Sequence, residues 1–298
     1  MKKNRINDAL EDKILYVITD IVLILVLIIV AYPIIYVISS SFSSGEAVTS
    51  GRVWLLPVDF TLFGYQLAFS YRSIWTGLAN SVFYTLLGTT LNMILTTLTA
   101  YPLSRPKFAL RKFGTIIFTI TMIFSAGLIP NYLLISKLGL VNSRWGYLLL
   151  GGISAYNMII VRTYFQESIP AEIYDASTID GASHFQTLLK IVIPLAVPTL
   201  AVVTLYYAVG HWNAYFDAMV YLRDPELQPL QIVLRRILIA SNLDASEVTD
   251  QNLLPRMNGA SELMKYSTIV IATVPIVALY PFVQKFFVKG VMIGSVKG

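Results

Sequence analysis

Long apolar runs separated by polar, mostly basic stretches dominate the chain. Six of them, 14–38, 74–103, 113–136, 145–161, 191–220 and 266–284, are long enough to span a bilayer, which takes ~20 predominantly apolar residues per helix. Ionisable side chains inside these runs are confined to Asp20 in the first and to His211 and Asp217 in the fifth. The fourth run is the shortest and contains Gly151 and Gly152. The pattern predicts an all-α integral membrane protein with six transmembrane helices, forming one membrane domain over 1–298. Lys2, Lys3 and Arg5 before the first run mimic a signal peptide, but the run is too long and lacks a small-residue cleavage site, so it is expected to stay as a helix.

Composition sharpens this picture. Of 298 residues, 56% are hydrophobic and 13% charged, which leaves more apolar side chain than a soluble core absorbs and makes membrane lipid the first expected partner. Zero cysteines and two histidines, His184 and His211, exclude thiolate chemistry and leave too few ligands for a transition-metal site. The net charge of +5 is spread between the apolar runs instead of being gathered into a patch interleaved with aromatics, so nucleic acid is not an expected partner. Of the 22 Lys and Arg, thirteen fall on the side shared with the N-terminus and nine on the other, where the connections are longer. Positive charge accumulates on the cytoplasmic side, so both termini are expected there. Two outer loops follow, 39–73 and 221–265; the second holds an apolar piece, 227–240, interrupted by Arg235 and Arg236, that suits an interfacial helix. Asp20 falls near the inner end of the first helix, where a carboxylate meets headgroups and water.

The inner loop between the fourth and fifth runs carries the most distinctive signal. Residues 169–183 read Ile-Pro-Ala-Glu-Ile-Tyr-Asp-Ala-Ser-Thr-Ile-Asp-Gly-Ala-Ser. Proline at the start, acidic residues in the first turns and glycine at the end spell a short capped helix outside the bilayer. The chain then runs amphipathically through His184, Phe185 and Lys190 to Ile191-Val192-Ile193-Pro194, where proline is expected to bend the chain into the fifth helix.

This loop, 169–194, resembles the EAA loop of binding-protein-dependent ABC importers: Glu-Ala-Ala, three residues, Gly, nine residues, Ile-x-Leu-Pro. Asp175, Ala176, Ser177, Gly181, Ile191, Ile193 and Pro194 occupy those positions without a gap, with Asp for Glu, Ser for Ala and Ile for Leu. Further stretches similar to the carbohydrate-uptake branch are Asn80-Ser81, Ala100 to Arg105, Gly127 to Pro130, His211-Trp212-Asn213 and the ending from Val288 to Gly298. They look most like the smaller permease subunit of maltose-type systems, in the subgroup serving polysaccharide-derived oligosaccharides.

The resemblance implies a permease subunit in the cytoplasmic membrane of a bacterium, forming half of a translocation path by alternating access. It implies that Glu172, Asp175, Ala176, Ser177, Gly181, Ile191 and Pro194 couple it to a dimer of ABC ATPases, and that a second, homologous permease completes a heterodimer. An extracytoplasmic solute-binding protein would deliver an oligosaccharide, meeting the outer loop near Asn242, Asn252 and Asn258. No GxxxxGK[ST] phosphate loop occurs, so ATP and Mg belong to the partner ATPase and this chain is not expected to be an enzyme or to bind a cofactor itself.

His211, Trp212, Asn213, Tyr215 and Asp217 offer stacking surface and hydrogen-bonding groups to a sugar; the alternative is that they join helices or sit at the outer interface. The 221–265 loop and the tail from Gly290 likewise have bland readings, as a solvated loop and a frayed end. Three rivals are weighed: a permease for another small solute; an ion-gradient transporter, which needs ionisable groups near mid-membrane that these runs almost lack; and a membrane enzyme acting on lipid or glycan, which needs a cluster of acid, base or metal ligands that the spacing does not offer.

Overall fold

The computed structural model describes residues 10–239, 249–250 and 260–294. Its described residues form helices and connecting turns, without strands. In chain order they are α1 Leu10–Ser41, α2 Gly45–Thr49, α3 Phe63–Ser70, α4 Arg72–Ser104, α5 Arg111–Ile123, α6 Leu128–Lys137, α7 Arg144–Leu149, α8 Ala155–Glu167, α9 Ala171–Ile179, α10 His184–Thr187, a π-helical turn Leu188–Val192, α11 Ile193–Leu195, α12 Val197–Asn213, α13 Phe216–Tyr221, a 3₁₀ turn Pro225–Leu227, α14 Leu230–Ile239 and α15 Ser261–Gly294.

Among the described residues three helices are long and apolar enough to cross a membrane: α1, α4 and the first part of α15. Two further spans arise if each of two bent pairs counts as one crossing. The expected third run is divided between α5 and α6, which meet at 118° across a turn ending at Gly127, where φ is +84°. The fifth is divided at Ala196, with 85° between its parts. Proline accounts for the place of that break: Pro194 lies at the end of the continuous helical stretch His184–Leu195, where its missing N–H interrupts the bonding, and Pro198 lies in the first turn of α12, where a missing N–H costs nothing. The bend thus falls two residues after Pro194. The expected fourth run is two short helices, α7 and α8, separated by 150–154 around Gly151 and Gly152.

The chain divides into two compact units, 1–71 with 237–271 and 72–236 with 272–298. In the first, the central stretch of α1 is unburied, its Ile, Leu and Val side chains facing outward all round, which suits a helix whose solvent is lipid. Serines at its end lace the following loop in place: Ser39 Oγ donates to Leu55 O (2.6 Å) and Val58 N donates to Ser43 Oγ (3.0 Å). Ala47, Val48, Val53 and Leu263 form the small core beneath.

In the second unit α4 is the frame. Asn80, Tyr84, Gly88, Asn92, Thr96 and Ala100 repeat every four residues and all are buried, a single ridge of small and polar side chains that lets α12 and α8 pack closely. Apolar clusters close both ends of this packing: Tyr84, Tyr147, Leu148 and Leu222 at one, and Tyr101, Met158, Phe165 and Val192 at the other.

The first end also fixes the root of the chain that follows α13. Asn80 Nδ2 donates to the carbonyls of Glu226 (2.8 Å) and Gln228 (3.0 Å), Tyr84 OH to Leu227 O (2.8 Å), and Leu230 N donates to Ser81 Oγ (2.9 Å). Gly77 permits this approach, since a Cβ there would meet Leu230 Cα at 3.1 Å. Asn80→Ala strands two carbonyls and is expected to cost about 1–3 kcal/mol, measured as a lower unfolding midpoint of the solubilised chain. Thr90→Ala, on an exposed position of the same helix, is expected to change it by less than about 0.5 kcal/mol.

Candidate functional site: a polar cavity and an exposed coupling helix

Midway along α4 the same ridge makes a second set of hydrogen bonds, to the break between α7 and α8 and to α12. Asn92 Nδ2 donates to Gly151 O (3.1 Å) and Gly152 O (2.8 Å), and its Oδ1 lies 2.5 Å from His211 Nε2 on α12. One turn further, Thr96 Oγ1 and Tyr207 OH are 2.7 Å apart, and Ser154 N donates to Tyr207 OH (3.0 Å). The break between α7 and α8 exposes backbone that a helix would have satisfied, and these two side chains from α4 and α12 satisfy it instead. Gly88 sits directly beneath the imidazole: a Cβ there would lie 2.6 Å from the ring of His211.

Beside this network is a cavity of about 210 Å³. His211 and Asp217 line it, with Asn157, Tyr147, Tyr206 and Tyr207. The other members of the fifth-run cluster point elsewhere. Trp212 is buried and its Nε1–H donates to Ala272 O (2.9 Å); Asn213 ends α12 exposed, and Tyr215 is exposed with its ring edge-on to Phe216. The cluster therefore splits between a helix-joining role for Trp212 and a cavity-lining role for His211 and Asp217. Asn92, Asn157 and the three tyrosines escape a reading that searches apolar runs for ionisable groups, because they are polar without being charged. Their shared signal is an amide or hydroxyl within a run that is otherwise apolar.

The second site is α9 and its attachments. Pro170 precedes the helix, and a Schellman motif ends it: Gly181 N donates to Thr178 O (3.1 Å) and Ala182 N to Ser177 O (3.0 Å), with Gly181 at φ +73°. Ser183 then opens α10 with a reciprocal capping box to Gln186. Ser177 is buried, donating to Tyr174 O (2.8 Å) and accepting from Thr187 Oγ1 (3.2 Å). Ile191 is half-buried in the π turn and Pro194 is exposed. Glu172, Asp175, Ala176 and Ile179, spaced as one helical face, are all exposed, Ile179 by 86%.

The opposite face of α9 is pinned by Arg105. Its guanidinium lies 3.4 Å from the centre of the Tyr174 ring and donates to Phe165 O (2.8 Å), the carbonyl that Tyr174 OH also reaches (3.1 Å). Burial lowers the Arg105 pKa and pushes the Tyr174 phenol up to about 12, against the opposing pull of Arg105; the phenol keeps its proton and remains a donor. In return, Arg162 Nε from α8 donates to Leu103 O at the end of α4 (3.0 Å). Each helix thus ends on a cation supplied by or just beyond its neighbour, the sign that a helix C-terminus favours. Asn242, Asn252 and Asn258 lie outside the described residues.

The contact between Gly88 and His211 is testable. Gly88→Ala is expected to destabilise the solubilised chain by about 1–3 kcal/mol through overpacking, and adding His211→Ala is expected to recover part of that loss. Additive losses in thermal unfolding would place the ring elsewhere.

Comparison with known proteins gives these features a family. Residues 61–293 match the family of binding-protein-dependent transport system inner membrane components. The polygalacturonan/rhamnogalacturonan transport system permease protein YtcP of Bacillus subtilis (strain 168) is 39% identical over 93% of this chain and 96% of its own length. LplC of the same organism is 38% identical over 89% of each. A solved bacterial ABC transporter involved in the import of the acidic polysaccharide alginate contains a chain that superposes with a TM-score of 0.87 and 38% identity, covering 94% of this chain and 99% of that one. A conserved architecture of this extent leaves one conclusion: the chain belongs to the family of inner membrane components of binding-protein-dependent transport systems.

Proposed function

We propose that the chain is one permease subunit of an ATP-driven oligosaccharide importer, and that α9 couples it to a separate ATPase. The observation that carries the coupling role is the outward face of α9. Two carboxylates, an alanine and an isoleucine sit exposed and, among the described residues, unpaired on a helix whose other face is pinned to the ends of α4 and α8. Small and apolar side chains admit close approach of another surface, carboxylates offer pairing partners, and the Arg105–Tyr174 contact would pass a push on α9 into α4.

Membership of this family and the likeness to permeases named for polysaccharide fragments support an oligosaccharide as cargo. The cavity suits one: tyrosine rings for stacking, with amides, an imidazole and a carboxylate for hydroxyl groups. Among the described residues neither Lys nor Arg lines it, so this cavity offers a sugar hydrogen bonds and stacking.

In this reading one domain over 1–298 crosses the bacterial cytoplasmic membrane six times with both termini inside, α7 and α8 together making the fourth crossing. A different homologous permease completes the path as a heterodimer. A binding protein delivers the sugar to the outer loops, and a dimer of ATPases holds ATP and Mg; this chain breaks no bond and binds no cofactor.

Affinity purification from native membranes tests the assignment. A second permease and an ATPase with a phosphate loop are expected to co-purify, and Ala176→Arg, which puts a long cation on the outward face, is expected to lose the ATPase at least tenfold while keeping the second permease. Recovery of the chain alone or as a homo-oligomer would overturn the proposal.

A further inference from the structure

Away from the His211 cavity, the end of α4 nearest α9 carries an apolar cleft. One chamber of about 430 Å³ lies between Leu98 and Pro102 of α4, Phe108, and Phe185 and Leu188 of the segment after Gly181. A second of about 410 Å³ shares Leu98, Pro102 and Phe108 and continues along α5 past Leu110, Phe113 and Ile117. Several of these side chains are exposed, Phe185 by 60% and Phe113 by 64%.

The charged side chains lining the two chambers themselves are basic, although Asp175 lies on the adjoining pocket that shares Arg105, Lys107 and His184. Residues 98–118 contain Arg105, Lys107, Arg111 and Lys112 and no acidic residue, and His184 adds a fifth basic group to the first chamber. Arg105 and Arg111 are engaged, with Phe165 O and with Gln166 Oε1 (3.1 Å). Lys107 and Lys112 are exposed and pair with nothing among the described residues. The cleft also has a definite depth: Leu98 to Ser104 are the last two turns of a helix long enough to span a bilayer, and the basic residues begin where it ends.

We infer that this cleft is a binding site for an anionic phospholipid, with acyl chain against Leu98, Phe108 and Phe113 and the headgroup phosphate at its basic rim, where Lys107 lines the first chamber and Lys112 precedes Phe113 of the second. A free phosphate or nucleotide would meet the lysines but leave the hydrocarbon walls wet, and a zwitterionic lipid would fill the walls but bring its own cation to the lysines. Only a lipid with net negative charge satisfies both. Because Phe185 and Leu188 follow the Schellman turn of α9 directly, a lipid seated there braces the segment that holds α9.

Native mass spectrometry of the full chain, released from detergent with phosphatidylglycerol or phosphatidylcholine, reads this out. Phosphatidylglycerol is expected to be retained about twenty-five-fold more than phosphatidylcholine. Lys107→Gln with Lys112→Gln is expected to abolish the preference, since each basic residue near a membrane surface contributes about a fivefold factor. Replacing both by Arg is expected to keep it, and Arg235→Gln with Arg236→Gln to leave it unchanged. Millimolar inorganic phosphate is expected not to displace the lipid. Equal retention of the two lipids, an unaltered preference in the Gln variant, or displacement by phosphate would each overturn the site.

Discussion

Backbone that leaves the helix within a packed protein must find its hydrogen-bond partners elsewhere in the fold. Here that constraint falls on residues 150–154, between α7 and α8, and it is met by Asn92 from α4 and Tyr207 from α12. The consequences spread outward. Asn92 has its oxygen left for His211, His211 needs the space that Gly88 gives, and the non-helical break leaves a polar cavity where an uninterrupted helix would have closed the packing.

The same helix serves three places along its length. Its first turns grip the chain around Glu226 to Leu230, its middle holds the cavity, and Arg105 just beyond its end holds α9. α8 runs alongside it in the same direction, with Gly151 and Gly152 before it at Asn92 and Phe165 near its end at Arg105. Arg105 and Arg162 exchange hydrogen bonds across their ends and hold the two helices in register; in the proposed reading a displacement of α9 would reach the cavity through these two parallel rods.

Much of this was legible in the chain. The apolar runs mark the helices because only long helices satisfy the backbone in lipid, and the loop from Pro170 to Pro194 announces itself because caps, glycine and proline act locally. Continuity was not legible: runs 113–136, 145–161 and 191–220 read as single helices, and each is broken. An apolar count does not register a glycine at φ +84° or the difference between a proline at mid-helix and one in a first turn. The cavity was half legible. His211 and Asp217 stood out by charge, whereas Asn92 and Tyr207 owe their roles to partners far along the chain, which spacing within one helix does not encode. Trp212 had the chemistry of a sugar platform, yet its indole N–H is spent on Ala272 O.

The central claim is that the outward face of α9 meets an ATPase. The chain has no cysteine, so a single Ala176→Cys variant carrying a short photo-crosslinker reports on that face alone. Irradiation in native membranes should join the chain to a polypeptide bearing a phosphate loop, and the same label at Phe113, on α5, should not. Cross-linking at Ala176 to lipid alone, or equal yields of the ATPase adduct from both positions, would contradict the account.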